Sequence, residues 1–280
     1  MLSHLEGARV LAGGQSLMPM LAMRYLVLDH LVDANCLESE LGKVQHSNGK
    51  FRIGAITRQR ALERSAELKQ ACPIFREALD NVGHFQTRNR GTIGGSLCHL
   101  DPAAELPAIL SVYDGTELEI QSHRQSRTLP ISEWAKGYMT PALAPGEMLT
   151  HITLTPWQEP HGYAFLELAR RDGDFAIAGV ACLLAISDSG AITRAAISLC
   201  GVAVRHARVT AAERLLVGEM PTSKIFRDAG AEVEKLQGVI EDAQNTVAYR
   251  RHVASALIRR GLEIAAGRAA AASNSGRRFQ

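Results

Sequence analysis

The chain has 280 residues, of which 46% are hydrophobic and 21% are charged, which is the composition of a globular protein with room for two domains and a sizeable core. The formal net charge is +2 and no basic run is interleaved with aromatic residues, so composition gives no support to nucleic-acid binding. The longest apolar run, residues 176–186, is too short to span a bilayer, and Met1 to Glu6 lack the features of a signal peptide. We therefore expect a cytoplasmic protein without a transmembrane segment.

Hydrophobic periodicity and turn residues predict short strands and helices in the N-terminal half. In chain order they predict a strand at 10–12, a helix at 18–25, a strand at 28–32, a hairpin of 44–46 and 51–55, helices at 58–65, 74–82 and 102–110, a hairpin of 118–121 and 127–129, and a strand at 149–154. Thr57 and Asp101 are the expected N-caps of the helices that follow them.

Residues 158–162 carry turn residues without periodicity, which predicts a linker. Beyond it the pattern predicts a strand at 163–169, an antiparallel pair at 175–187 and 191–201, and helices at 207–217, 223–236 and 247–266. Strands followed by helices favour an α+β class. The expected units are residues 1–157, residues 162–267 and a disordered tail at 268–280.

The five cysteines are far apart and none forms a C-x-x-C pair: Cys36, Cys72, Cys98, Cys182 and Cys200. Iron–sulfur clusters and structural zinc sites need grouped ligands, so neither is expected within this chain and no metal-ligating residue is assigned. Cys98 lies near a glycine pair, where a small buried hydrophobe is the preferred interpretation.

Two glycine pairs are the strongest motifs in the chain. Each follows a β-branched residue or apolar run and precedes a hydroxyl: Leu11-Ala12-Gly13-Gly14-Gln15-Ser16-Leu17 and Gly91-Thr92-Ile93-Gly94-Gly95-Ser96. Successive N–H groups in such turns can form an anion nest, although one glycine pair alone fits an ordinary turn equally well. The spacing excludes the Rossmann and P-loop patterns. Two nests suit a diphosphate, and the carboxylates of Asp101 and Glu105 suit sugar hydroxyls.

Arg88 and Arg90 precede the second glycine pair. They suit either a contact to a phosphate or flavin edge, or a solvated position before a loop.

The two glycine stretches resemble the flavin-binding signatures of the medium subunit of molybdenum hydroxylases, a group that includes the carbon monoxide dehydrogenase flavoprotein and the flavin portion of xanthine dehydrogenase. Residues 162–165 and 170–176 resemble the later pattern of the same family. The resemblance implies an α+β protein with a two-subdomain FAD-binding domain of the vanillyl-alcohol-oxidase (PCMH) type. A smaller α+β domain, like the C-terminal domain of the carbon monoxide dehydrogenase flavoprotein, would follow it.

Carried over by position, the resemblance implies FAD contacts but no catalytic residue. The implied contacts are Leu11, Ala12, Gly13, Gly14, Gln15, Ser16, Leu17, Thr92, Ile93, Gly94, Gly95, Ser96, Asp101, Glu105, Leu149 and Phe175. Ser96 stands where the family usually has Asn, and Glu167 stands where it often has a basic residue. Replacing Gly14 or Gly94 by Val is expected to abolish FAD retention, because the side chain would take the place of the phosphate.

The resemblance also implies a function. The chain would be the FAD-binding electron-transfer subunit of a multi-subunit oxidoreductase. A small partner with [2Fe–2S] clusters would supply electrons, a large partner with the molybdenum cofactor would carry out the substrate chemistry, and an external acceptor would receive the electrons. The three subunits would form a heterotrimer, and two heterotrimers could associate as a dimer. The alternatives are a self-sufficient FAD-dependent oxidoreductase and a non-catalytic FAD-insertion or assembly protein.

Family members have a longer segment before the first glycine pair than this chain has. The expectation is either a misassigned start or a trimmed first subdomain with an exposed sheet edge.

Overall fold

The computed structural model describes residues 2–277, and their side chains as far as residue 272. The N-terminal part contains short elements around an antiparallel sheet. In chain order they are β1 (Ala8–Leu11), α1 (Leu17–Ala22), β2 (His30–Asp33), α2 (Glu38–Leu41), β3 (Val44–Ser47), β4 (Lys50–Gly54), α3 (Gln59–Arg64), α4 (Ala66–Ala71), α5 (Ile74–Asn81), α6 (Phe85–Arg90), α7 (Ile93–His99), α8 (Glu105–Val112), β5 (Glu117–Gln121), β6 (Ser126–Pro130), β7 (Ala135–Gly137), β8 (Thr140–Pro141) and β9 (Met148–Leu154).

The C-terminal part has longer strands and a helical layer. Its elements are β10 (His161–Ala169), β11 (Ala176–Ile186), β12 (Ile192–Cys200), β13 (Ala207–Arg208), α9 (Thr210–Leu216), α10 (Ser223–Ala231) and α11 (Val247–Arg277). Short 3₁₀ helices span Asn35–Leu37, Ile131–Glu133 and Glu232–Lys235. The strands followed by helices confirm the α+β prediction.

Three sheets occur in the described N-terminal part. Strands β1 and β2 form a parallel pair, β7 and β8 form a short antiparallel pair, and a five-stranded antiparallel sheet has the order β3-β4-β9-β5-β6. The β3–β4 hairpin turns at Asn48 and Gly49, both with positive φ, as a two-residue turn of the Asn-Gly kind requires. The predicted hairpin is therefore confirmed.

The C-terminal sheet has the antiparallel order β10-β11-β12-β13, and its strand β11 is buried on both faces. On one face Val180, Cys182 and Leu184 join the core formed with the C-terminal helices. On the other face Ala181 and Leu183 join the core of the N-terminal part. Side chains alternate between the two faces of a strand, so burial of both faces accounts for the continuous apolar run in the sequence.

The structure corrects several predicted element boundaries. Asp101 does not cap a helix at 102–110; α8 begins at Glu105, and Asp101 Oδ1 instead accepts a hydrogen bond from the N–H of Ala103. Thr57 does not cap α3, since its hydroxyl donates to the carbonyl of Lys43. Residues 207 and 208, predicted as helix, pair with β12 as β13.

The C-terminal helix extends beyond its predicted end. Helix α11 continues to Arg277, and Ala269 on it is fully buried, whereas composition predicted a disordered tail from residue 268. Residues 278–280 of that predicted tail lie outside the described residues. In the described part of the chain no helix has the length and apolarity needed to cross a membrane.

Candidate functional site

The two glycine turns meet at one cavity of about 580 Å³. The first turn connects β1 to α1, and the second connects α6 to α7. An added Cβ at Gly13 would lie 2.2 Å from the carbonyl oxygen of Arg90 and 2.8 Å from the Cα of Gly91. Only a glycine allows the two backbones to approach this closely.

The first turn presents free backbone donors to the cavity. Among the described residues, no acceptor receives a hydrogen bond from the N–H groups of residues 13–16. Gly14 has a φ of +72°, a backbone conformation that residues with a side chain rarely adopt. This turn can therefore bind an anion through its amides.

Most amides of the second turn are bonded within the protein, whereas the N–H of Thr92, a residue of the cavity wall, donates to no described acceptor. The bonded N–H groups of this turn donate from Ile93 to the carbonyl of Thr57 (3.1 Å), from Gly94 to the carbonyl of Ala55 (2.8 Å), from Gly95 to Thr92 Oγ1 (3.0 Å) and from Ser96 to the carbonyl of Thr92 (3.1 Å). This turn lines the cavity with Gly91, Thr92, Gly95 and Ser96.

Most of the predicted contact residues line the cavity: Ala12, Gly13, Gly14, Gln15, Ser16, Leu17, Thr92, Gly95, Ser96, Asp101, Glu105 and Phe175. Leu11, Ile93, Gly94 and Leu149 do not line it. Leu149 is buried within β9, and Ile93 is buried in the same core. Gly94 faces Ala55, whose carbonyl oxygen an added Cβ would approach to 2.5 Å, so Gly94 supports packing of the turn and does not leave room for a phosphate.

Sequence reasoning missed other residues of the cavity wall, among them Arg9, Gln59, Gly83, His99 and Met139. Gln59 follows Arg58, which forms an isolated bridge with Thr92 and thereby brings the start of α3 beside the second turn. Gly83 has a φ of +48°. The period-two alternation of β1 could have indicated Arg9, whereas the others depend on tertiary contacts.

The charged and titratable groups of the cavity differ in protonation state and in whether they are paired. The side chain of Arg9 forms no hydrogen bond or ion pair with any described residue. Burial raises the pKa of Glu105 to about 7 and that of the Cys98 thiol to about 12. Burial lowers the pKa of His99 even though Asp101 lies 3.9 Å away. At neutral pH the wall therefore contains an unpaired cation, a carboxyl group near its titration point and a protonated thiol.

Arg88 does not line the cavity and is bonded within the protein, so the phosphate contact considered for it is not found. Its guanidinium donates to Glu63 Oε2 (3.2 Å) and to the carbonyls of Val82 and Gly83 (3.0 Å each). The side chain of Glu63 is 1% exposed. Burial would raise its pKa, but hydrogen bonds from Arg60 and Arg88 outweigh burial and lower it. Arg90 is exposed and its side chain does not line the cavity.

The C-terminal part closes one side of the cavity. Phe175 lies at the rim and is 73% exposed. The neighbouring Gly173 packs so closely that an added Cβ would lie 2.7 Å from His84 Cε1. Next to the wall residues Ala103 and Ala104, the N–H of Gly201 donates to the carbonyl of Pro102 (2.7 Å), and His206 Nε2 lies 2.8 Å from the carbonyl of Ala104.

Among the described residues, no three His, Cys, Asp or Glu side chains are grouped so that they could hold a metal ion. The cavity wall also holds no nucleophile–base pair with an assigned hydrogen bond. The chemistry that the cavity supports is binding and orientation of a ligand.

Comparison with known protein families gives two matches that together span most of the chain. Residues 1–157 match the family described as the FAD binding domain in molybdopterin dehydrogenase. Residues 163–265 match the CO dehydrogenase flavoprotein C-terminal domain.

The alignments with curated relatives span nearly the full length of this chain and of each relative. The chain is 35% identical to the 6-hydroxypseudooxynicotine dehydrogenase complex subunit alpha of Paenarthrobacter nicotinovorans, covering 94% of this chain and 88% of that protein. It is 33% identical to the caffeine dehydrogenase subunit beta of a Pseudomonas species, covering 95% and 89%. It is also 33% identical to the carbon monoxide dehydrogenase medium chain of Afipia carboxidovorans, covering 94% and 91%.

Solved structures share the whole architecture. A chain of the Cu,Mo-CO dehydrogenase superimposes with a TM-score of 0.91 at 33% identity, covering 95% of this chain and 93% of that chain. A chain of the quinoline 2-oxidoreductase from Pseudomonas putida 86 superimposes with a TM-score of 0.87 at 30% identity, covering 94% and 90%.

Proposed function

The chain belongs to the family of FAD-binding medium subunits of molybdenum hydroxylases, and on this premise we propose that its cavity holds one FAD and passes electrons between partner subunits and an external acceptor. The observation that carries the proposal is the set of free amides on the first glycine turn, at residues 13–16. They face the same cavity as the second glycine turn. A dinucleotide diphosphate is an anion that such a turn binds well.

The cavity residues fit the parts of FAD in a definite way. The amides of the first turn would donate to the diphosphate, and the unpaired guanidinium of Arg9 would add a positive charge nearby. Asp101 and Glu105 would orient sugar or ribityl hydroxyls. Because Glu105 titrates near neutral pH, its carboxyl group can either donate or accept such a bond.

Ser96 and Phe175 would complete the enclosure. The Ser96 hydroxyl would contact the diphosphate from the second turn, and the exposed ring of Phe175 would cover the flavin from the C-terminal side. Residues 1–157 would thus bind most of the cofactor, while residues 162–267 would close the site.

When bound, FAD would supply the redox chemistry, since a flavin can exchange electrons with donors and acceptors that the protein brings near it. The chain's own residues would bind and orient it and exclude water. In this role the chain needs no catalytic acid or base. We propose that a small [2Fe–2S] subunit and a large molybdenum-cofactor subunit complete the enzyme in a heterotrimer in the cytoplasm. The names of the relatives, which are subunits of dehydrogenase complexes, support this assignment.

The test is to express the full chain alone, record its absorption spectrum and identify the released flavin. We expect one FAD per chain, no substrate-dependent reduction by the chain alone, and reduction when the two partner subunits are added. Turnover of substrate by the isolated chain would identify a self-sufficient oxidoreductase. A chain that retains no flavin, alone or with its partners, would contradict the proposal and favour an assembly protein.

A further inference from the structure

The two glycine turns belong to different clusters of buried side chains. The first turn adjoins a small cluster of Ala34, Leu41 and Ile56, against which Val10 and Ala12 pack. The second turn adjoins the main core through Ile93. The backbone of residues 55–57 links the two clusters, since Ile56 packs in the small cluster while the carbonyls of Ala55 and Thr57 accept from the amides of Gly94 and Ile93.

Two polar side chains connect the turns directly. Asn35 Nδ2 donates to the carbonyl of Ala12 in the first turn (3.0 Å). Arg58 Nη2 donates to Asn35 Oδ1 (2.6 Å), and Arg58 Nη1 donates to the carbonyl of Arg90 at the second turn (2.7 Å). We call this chain of three hydrogen bonds the Asn35–Arg58 clasp.

The amide of Asn35 is held in the orientation that the clasp needs. Asp33 Oδ1 accepts hydrogen bonds from both the backbone N–H and the Nδ2 of Asn35. These bonds lower the pKa of Asp33, and the nearby charges of Arg58 and Arg90 lower it further. Asp33 is therefore ionised at neutral pH and fixes which side of the Asn35 amide faces Arg58.

We propose that Asn35 and Arg58 are positioning residues, which hold the free amides of the first turn at the correct distance from the second turn before FAD binds. The inference rests on the proposed function, since FAD is the ligand. Neither side chain lines the cavity, so both act through the backbones of Ala12 and Arg90. The carbonyl oxygen of Arg90 is also the atom that an added Cβ at Gly13 would approach most closely.

The physical reason is preorganisation. A turn that must be brought into position when the ligand binds reduces affinity by the cost of ordering it. Bonds in which a guanidinium donates are stronger than neutral ones, so loss of Arg58 removes the strongest link of the clasp. We expect FAD affinity to fall although no atom that touches FAD is changed.

The test uses the full chain freed of flavin and titrated with FAD by fluorescence quenching. The variants are Arg58→Met, which removes both donors, and Asn35→Asp, which is isosteric but loses the donor to Ala12. The matched control is Arg52→Met, because Arg52 also bonds two side chains, Glu119 and His151, but lies away from the cavity. Thermal unfolding of each flavin-free chain is measured in parallel.

We expect Arg58→Met and Asn35→Asp to raise the Kd for FAD by about tenfold to a hundredfold, as for loss of a charge-assisted hydrogen bond. The Kd of Arg52→Met should stay close to that of the unaltered chain, while its Tm should fall about as much as that of Arg58→Met. Arg58→Lys, which can reach only one of the two acceptors, should give an intermediate Kd and serves if Arg58→Met does not fold.

An unchanged Kd for FAD in Arg58→Met or Asn35→Asp would overturn the proposed positioning role of the clasp. A Kd that rises equally in Arg52→Met would assign the effect to general destabilisation and would also overturn it. Failure of the unaltered chain to bind FAD would instead contradict the proposed function.

Discussion

Glu105 combines burial with a carboxyl group, and its titration gives a residue-scale prediction. Its pKa is about 7 in the folded chain, compared with an ordinary value of 4.5. The folded state therefore binds more protons between these values, and the free energy of unfolding should fall as pH rises through this interval. Glu105→Gln removes the free-energy cost of ionising this buried carboxyl group. We expect little stability difference at pH 4 and a gain of up to about 3 kcal/mol at pH 8.

Chemical denaturation of both flavin-free chains at the two pH values measures this difference directly. A gain of the same size at pH 4 and pH 8 would mean that Glu105 is not held in its neutral form by the folded state.

Gly14 and Gly94 were expected to act in the same way, but their surroundings separate them. Gly14 lines the cavity at positive φ, whereas Gly94 packs against Ala55. Gly14→Ala should cost about 1–2 kcal/mol of stability and should also turn a free amide away from the cavity, so that FAD binding is lost. Gly94→Ala should destabilise the fold itself, because its Cβ would meet backbone.

Gly115→Ala is the control for Gly14→Ala, since Gly115 has a φ of +79° and no atom within 4 Å of an added Cβ. Measured by flavin content and Tm, it should lose stability but retain FAD. Equal flavin content in Gly14→Ala and Gly115→Ala would remove the first turn from the site.

The sequence predicted the cavity residues that belong to the motifs, since a glycine pair and an adjacent hydroxyl are visible in the chain. It could not predict that Gly94 faces Ala55, or that the amides from Ile93 to Ser96 are bonded internally. The packing of Gly94 and the bonds of the Ile93 and Gly94 amides depend on the segment at residues 55–57, which is distant in sequence. For the same reason Gln59 was missed.

At the scale of elements, the contact between β10 and α11 depends on one glycine. An added Cβ at Gly162 would lie 1.7 Å from the carbonyl oxygen of Ala265 and 2.6 Å from the N of Ala269. Gly162→Ala must therefore move the helix, and we expect a loss of about 3 kcal/mol or more, at the upper end for overpacked sites. The measurement is the free energy of unfolding in urea.

Gly267→Ala, on the same helix, is the matched control. Nothing lies within 4 Å of its added Cβ, and alanine favours a helix over glycine, so a gain of about 0.5–1 kcal/mol is expected. A loss in both variants, or in neither, would contradict the packing of α11 on β10.

Element existence followed from local patterns, while element boundaries depended on tertiary contacts. The Asn48-Gly49 hairpin and the paired strands β11 and β12 were predicted because turn residues and apolar runs are local signals. The start of α8 was misplaced because Asp101 bonds its own turn and not a helix end. Helix α11 was predicted too short because its alanine-rich end resembles a linker when its packing is unknown.

At the scale of the whole molecule, the C-terminal part contacts the segment that carries the cavity residues Asp101 and Glu105. Gly201 and His206 contact the carbonyls of Pro102 and Ala104, in the segment between Asp101 and Glu105. Burial lowers the pKa of His206 to about 4, so the imidazole is neutral near pH 7. No sequence pattern linked these residues, since about a hundred positions separate them along the chain. Movement between the two parts would therefore change the position of the proposed ligand hydroxyl contacts.

The central claim is that the free amides of the first glycine turn hold the diphosphate of one FAD in the shared cavity. The most direct test is a diffraction measurement on crystals of the FAD-loaded chain. The account predicts phosphate oxygens within hydrogen-bonding distance of the N–H groups of residues 13–16, with Ser96 on the opposite side. A diphosphate bound outside this cavity, or one that leaves those amides without a partner, would contradict it.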